Sequence, residues 1–293
     1  MKGRTVALFP GQGIPANDVL GALPDKHALL DVANEVVGHD IKRKVEIASR
    51  RGNAPLPTSV AQTAIFVAGM IAWTDAPEED RAVDFMAGHS LGEYTALVAA
   101  GAMSFKTGIE VVEARGRAMQ IAARAAGGGM AALLGFSLAE AENIAAQSGT
   151  VVANDNAPNQ VVISGTEDAL SEAAAAARAR GGRAVLLQVS GSFHSASMEP
   201  AAFGLQKALD YAEVAMPEIP VISNVSAGPY RSPGEIRKLL TQQLTGRVRF
   251  RESINWLAQQ GVTSCRDFGP GRVVEGLFSR TTENREAARA GSR

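Results

Sequence analysis

The chain has 293 residues, 46% of them hydrophobic and 20% charged, with 29 basic and 30 acidic side chains for a net charge of -1. That balance suits one large α/β domain, or one domain with a smaller insert, and argues against disorder or several independent domains. It gives no overall pull towards nucleic acid or an anionic membrane, the single cysteine, Cys265, cannot form an internal disulfide, and the four histidines have no zinc-ligand spacing.

In chain order, Val6-Ala7-Leu8-Phe9 predicts a buried strand, ended by the turn Pro10-Gly11-Gln12-Gly13. The apolar stretch before that turn is too short for a secretory signal core, and the longest apolar run, Ala64 to Trp73, is too short to span a bilayer, so a reducing cytoplasm is expected. Residues 59 to 74 predict a helix, and Phe85-Met86-Ala87 a short strand. Helical spacing resumes over 91–100, is punctuated at Gly101, and returns over 105–123. The run Gly127-Gly128-Gly129 reads as a boundary. Beyond it come strand 130–134, helix 138–147, strands 151–154 and 160–164, an Ala-rich helix 167–180 and strand 184–187. This β-α-β-β-α-β order predicts a split βαβ, ferredoxin-like unit inserted in a larger domain. The expected division is 1–126 with 198–293 for the large subdomain, and 127–197 for the small one. After 198 the chain returns to longer helices, a strand at 221–223 and a strand-turn-helix around Asp267 to Gly271, with a frayed polar tail over 284–293.

The strongest chemical signal is Gly88-His89-Ser90-Leu91-Gly92 between the strand and helix predicted there. A G-x-S-x-G run at such a junction makes a sharp elbow that holds the serine hydroxyl out, which nominates Ser90 as a nucleophile. In a chain with 30 glycines the pentapeptide alone is a weak signal, so a base is required as well. His194, just after strand 184–187, is the natural choice. His27 and His39 read as surface residues, and the side chain of His89 is expected to leave the elbow in another direction. Arg115, on the helix 105–123, carries a planar fork suited to a carboxylate, and its ordinary alternative is a solvated pair with Glu113 or Glu110.

Taken together, Phe9-Pro10-Gly11-Gln12-Gly13, Gly88-His89-Ser90-Leu91-Gly92-Glu93-Tyr94, Glu113 to Gln120, Asn156 to Gly165, Phe193-His194-Ser195 with Met198-Glu199-Pro200, and Phe268-Gly269-Pro270-Gly271 stand in the order and spacing of a known family. Over about residues 5 to 280 the chain resembles the malonyl-CoA:acyl carrier protein transacylases, the discrete acyltransferases of fatty-acid and polyketide synthesis. The resemblance implies an α/β-hydrolase-like large subdomain with a parallel sheet plus the ferredoxin-like insert. It also implies ping-pong malonyl transfer from CoA to a carrier-protein thiol, without a metal or other cofactor, by a monomeric enzyme. Ser90 and His194 would be catalytic, the backbone N–H groups of Gln12 and Leu91 would form the oxyanion hole, and Arg115, Phe193 and Asn156 would bind substrate. A backbone carbonyl at Gln243 would orient the histidine. Phe193 before His194 is similar to malonyl-selective members, since it leaves little room for an α-methyl branch. Two departures from the family pattern, Ile14-Pro15 and Thr245-Gly246-Arg247, are expected to alter the entrance while leaving catalytic groups untouched. Arg247, Arg249 and Arg251 are candidates for a basic patch facing an acidic carrier protein. The alternatives are a serine esterase or thioesterase, the transferase subunit of a malonate decarboxylase, and a non-catalytic docking scaffold.

Overall fold

The computed structural model describes residues 3–50 and 56–290. Among the described residues eight strands form two sheets: β1 (Arg4–Phe9), β2 (Phe85–Gly88), β7 (Val221–Ile222) and β8 (Val262–Asp267) in one, and β3 (Gly129–Leu134), β4 (Val151–Ala157), β5 (Gln160–Gly165) and β6 (Arg183–Leu186) in the other. The first sheet is parallel throughout with order β7-β2-β1-β8, and the second is antiparallel with order β4-β5-β3-β6. The helices are α1 (Ala16–Gly21), α2 (Ala28–Val37), α3 (Ile41–Ser49), α4 (Thr58–Asp75), α5 (Glu78–Arg81), α6 (Leu91–Ala99), α7 (Phe105–Ala126), α8 (Leu138–Ser148), α9 (Glu167–Ala179), α10 (Glu199–Tyr211), α11 (Pro233–Gln243), α12 (Phe250–Gln259) and α13 (Val273–Ala290). Among the described residues no helix is long and apolar enough to cross a membrane.

The parallel sheet is covered on both faces, so its strands are continuous apolar runs instead of alternating ones. Val6, Ala7, Leu8 and Phe9 of β1 are all fully buried. Alternate residues of β1 serve different faces: Ala7 and Phe9 join the core under α4, α6 and α7, while Val6 and Leu8 join the one under α12 and α13. Helix α4 is buried nearly all round because it crosses the middle of the molecule, which explains its uniformly apolar sequence. In the antiparallel unit, α8 opens with the reciprocal Ser137/Glu140 capping box and α9 with Thr166, whose hydroxyl accepts from the Ala169 N–H. Both helices pack on one face of the sheet through Ala141, Ile144, Leu170, Ala173 and Ala177, so the alanines supply contact surface with α8.

The two sheets meet along a seam made by residues 247–251. Val248 donates to the Ala153 carbonyl at 2.8 Å and accepts from the Asp155 N–H at 2.9 Å, and Arg251 clamps the fully buried Asp155 carboxylate with two contacts of 2.8 Å. The three arginines read as a basic patch are therefore each held by an acid: Arg247 by Glu142, Arg249 by Glu252 and Arg251 by Asp155. Arg247 and Arg251 tie the seam to the antiparallel unit, and Arg251 offsets the buried Asp155 charge.

Two local expectations are corrected. The tail is helical to Ala290, because Thr281 to Ala290 is rich in good helix formers and Arg285 ties it to the Asn255 carbonyl at 3.0 Å; the last three residues lie outside the described residues. The second strand of the small sheet continues past residue 154 to Ala157, with register shifts on the way that turn Asn154 and Asn156 towards the large sheet.

Candidate active site

All four parallel strands end at the same edge, where loops gather at the carboxyl ends of an open α/β sheet. The Pro10–Gly13 loop follows β1, Ser90 follows β2, Asn224 follows β7 and Phe268–Gly271 follows β8. Ser90 occupies φ 52°, ψ -102°, a conformation that is costly for a residue with a Cβ and is characteristic of a nucleophile elbow. Glycine is required on both sides. A Cβ on Gly88 would overlap the Gly92 backbone, and one on Gly92 would overlap the Phe9 carbonyl. Gly92→Ala is accordingly expected to cost about 1–3 kcal/mol or more through overpacking against β1, measured as a fall in the denaturant midpoint at unchanged slope.

Ser90 and His194 are 7% and 6% exposed, and the Ser90 hydroxyl lies 2.9 Å from His194 Nε2. His194 Nδ1 lies 2.8 Å from the Gln243 carbonyl, an acceptor only, so Nδ1 carries the proton and Nε2 is free to accept from Ser90. Burial first, and the Arg115 charge second, push the imidazole pKa down to about 3, which keeps it neutral and basic in form at physiological pH.

Arg115 is fully buried beside the nucleophile. The pairing with Glu113 falls to Arg117 instead, one face round the helix, at 3.5 Å. Arg115 Nη2 donates to Ser90 Oγ and to Gln243 Oε1, each at 3.0 Å, and Nη1 donates to Gln62 Oε1. Its Nε is buried without a hydrogen-bond partner, and its guanidinium sits 5.0 Å from the centre of the Tyr94 ring. Among the described residues no carboxylate bonds to it. Gly116 makes this arrangement possible: a Cβ there would press on Ser59 Cα and the Gln62 side chain, so α4 and α7 cross closely and deliver Gln62 to the arginine.

A cavity of about 230 Å³ opens on the pair, lined by Gln12, His89, Ser90, Asn156, Phe193 and His194 among others. Gln12 accepts from Gln62 Nε2 at 2.9 Å through its side chain, which pins the loop carrying its N–H. Leu91 opens α6, so its N–H belongs to the helical turn that has no intrahelical acceptor. His89 lines the same cavity, where its Nε2 and Asn156 Oδ1 meet at 2.7 Å and its ring packs 5.3 Å from Phe250. The two departures also reach further in than expected. Ile14 lines this cavity, and with Pro15 it walls a neighbouring cleft of about 330 Å³, while the Gly246 backbone acts on His194 and opposes its downward pKa shift.

Four further participants have no role that the sequence assigns. Gln62 lies in an apolar helix, Asn224 accepts from the Ser90 N–H at 2.6 Å and donates to the Gly88 carbonyl at 2.7 Å, and Glu93 and Tyr230 bond to each other in the wall behind the elbow. A polar residue inside an otherwise apolar helix is the only hint, and it points to Gln62 alone.

Comparison with known proteins matches residues 57–283 to the acyl transferase domain family. The malonyl CoA-acyl carrier protein transacylase of Bacillus subtilis (strain 168) is 39% identical over 285 residues, covering 93% of this chain and 89% of the relative. The acyl carrier protein S-malonyltransferase of Vibrio cholerae superposes with a TM-score of 0.86 at 35% identity, over 96% of this chain and 94% of the other. A malonyl-transacylase solved in complex with its type II polyketide acyl carrier protein superposes with a TM-score of 0.84, also at 35% identity, over 96% and 93%.

Proposed function

We propose, for a chain that belongs to the acyl transferase domain family and within it to the malonyl-CoA:acyl carrier protein transacylases, that it carries a malonyl group from coenzyme A to the phosphopantetheine thiol of an acyl carrier protein through a malonyl-serine ester. The observation that carries this reading is the Arg115 guanidinium 3.0 Å from Ser90 Oγ, buried, with its Nε unpartnered and no carboxylate in contact among the described residues. In a malonyl thioester a single methylene separates the reacting carbonyl from the free carboxylate, so a carboxylate clamp has to sit beside the nucleophile.

In the proposed cycle, Ser90 Oγ attacks the thioester carbonyl and gives its proton to His194 Nε2, while the Nδ1–H bond to Gln243 supports the imidazolium. Oxygen charge develops towards the N–H groups of Gln12 and Leu91, donors of a kind that contribute about 10²–10³ in rate each. Collapse breaks the C–S bond, and the departing thiolate takes the proton from His194. The carrier-protein thiol then repeats the steps in reverse: it yields its proton to His194, attacks the ester, and Ser90 leaves as the alcohol. Nucleophile, base and oxyanion donors all come from the chain, so the cycle draws on no cofactor. The near-complete burial of Ser90 and His194 favours a thiol delivered on a long arm over bulk water. Phe193, 2% exposed, would crowd an α-branched acyl group. We place the enzyme in the cytoplasm on the strength of these substrates.

The test is acylation by a panel of acyl-CoAs, followed by intact mass spectrometry with and without carrier protein. Arg115→Ala is expected to lower malonyl transfer about 10²-fold or more, as for truncation of a buried charge pair, and to bring acetyl-CoA within reach. An unchanged order of preference across the panel removes the clamp. A neutral-acyl esterase has no use for a buried guanidinium.

A further inference from the structure

Glu93 is 1% exposed in the first turn of α6 and is not among the residues that line the cavity. Donors converge on it among the described residues: the Tyr230 hydroxyl and the Asn224 N–H on Oε1, the latter at 3.2 Å, Gln243 Nε2 on Oε2 at 2.5 Å, and the Ser223 hydroxyl beside them. The Gln243 amide connects this carboxyl to the reacting centre. Its Nε2 also donates to the Ser90 carbonyl at 2.9 Å, and its Oε1 accepts from Arg115 Nη2 at 3.0 Å.

An amide has one donating and one accepting end, and its environment decides which way it points. With Glu93 and the Ser90 carbonyl on one side, the flipped amide would set oxygen against oxygen there and N–H against guanidinium on the other. We propose that Glu93 is a positioning residue for the Arg115 clamp: by fixing the Gln243 amide it holds the guanidinium against Ser90 and thereby sets the preference for carboxylated acyl groups. This rests on Arg115 being the clamp, as argued above.

The orientation does not depend on the charge of Glu93. Burial pushes its pKa up to about 7, but a proton taken up on Oε1 can be donated to the Tyr230 oxygen while Oε2 still accepts from Gln243. The same Gln243 gives its main-chain carbonyl to His194, so base and clamp are registered by one residue whose side chain Glu93 pins.

The test compares kcat and KM for acylation of the full chain by malonyl-CoA and by acetyl-CoA in the wild type, Glu93→Gln, Gln243→Met and Arg115→Ala, with a thermal melt of each. Glutamine at 93 keeps the volume but can both donate and accept, so it no longer specifies the Gln243 amide. Gln243→Met breaks the link at its middle and keeps the carbonyl on His194, and it decides the matter if Glu93→Gln fails to fold. Both variants are expected to lower the malonyl-to-acetyl ratio of kcat/KM about tenfold, the scale of one hydrogen bond to a charged group. That change should come chiefly through a raised KM for malonyl-CoA. Proportional losses with both thioesters, or a lowered melting temperature with the ratio intact, overturn the proposal and leave Glu93 a structural residue. If Arg115→Ala itself leaves the ratio unchanged, the clamp is wrong and the positioning role falls with it, which is a different result from a ratio that responds to Arg115 alone.

Discussion

Ser90→Ala is expected to abolish the acyl-enzyme: incubation with malonyl-CoA should no longer add about 86 Da to the intact mass, because Ser90 carries the hydroxyl that meets His194 Nε2. Transfer to a carrier protein should fall on the order of 10⁴–10⁶-fold, the scale seen when the nucleophile of a cooperating set is removed. The residue is already at a positive φ of 52°, which alanine tolerates no better and no worse than serine, so the fold should persist. Arg115 loses one acceptor of its Nη2 but keeps Gln243. The variant should therefore still bind malonyl-CoA, and its affinity separates loss of chemistry from loss of the site. Labelling that persists in Ser90→Ala would move the nucleophile elsewhere.

His194→Ala is expected to slow acylation about 10²–10⁴-fold, as for loss of a general base. The pH dependence of the wild type gives a second measurement. Protonation destroys the base, and the pKa held down at about 3 postpones that loss, so kcat/KM for acylation should show no decline centred near 6.5 as pH falls from 8 to 5. A decline with its midpoint near 6.5 would mean an imidazole open to water. Stability follows the same shift with its own sign. The unfolded histidine takes up a proton below about 6.5 and the folded one does not until about pH 3, so this residue makes the protein progressively less stable as pH falls through that window. Cys265 takes no part, since burial first, and then Glu275 and Asp267, push its thiol up to about 12.

The legible parts of the sequence were those whose cause is local. The elbow could be read because close backbone packing demands glycine at 88 and 92, and the β-α-β-β-α-β order because strand and helix periodicities alternate between 129 and 186. The first three helices between Ala16 and Ser49 have no such contrast with their surroundings, and only the helical, polar setting of His27 and His39 is legible there. Arg115 was legible as a residue but ambiguous in direction, since a helix with Glu113 and Arg117 nearby reads equally well as a solvated charge run. The resemblance to the transacylases selected the inward reading before the packing of α4 against α7 could.

Sequence by itself determined the α/β class, the position of the nucleophile turn and, through the ordered motifs, the family. Those follow from steric rules over a few residues or from patterns repeated along the chain. Only the tertiary structure decided how the polar groups are satisfied. Ser90 meets His194 across 104 residues, Arg115 meets Gln243 across 128 and Gln243 meets Glu93 across 150. A buried donor finds its acceptor only when separate helices pack, and the cost of leaving it unpaired makes that pairing specific. For the same reason the arginines at 247, 249 and 251 resemble a free basic surface in sequence and become, once folded, paired side chains along the seam that joins the two sheets.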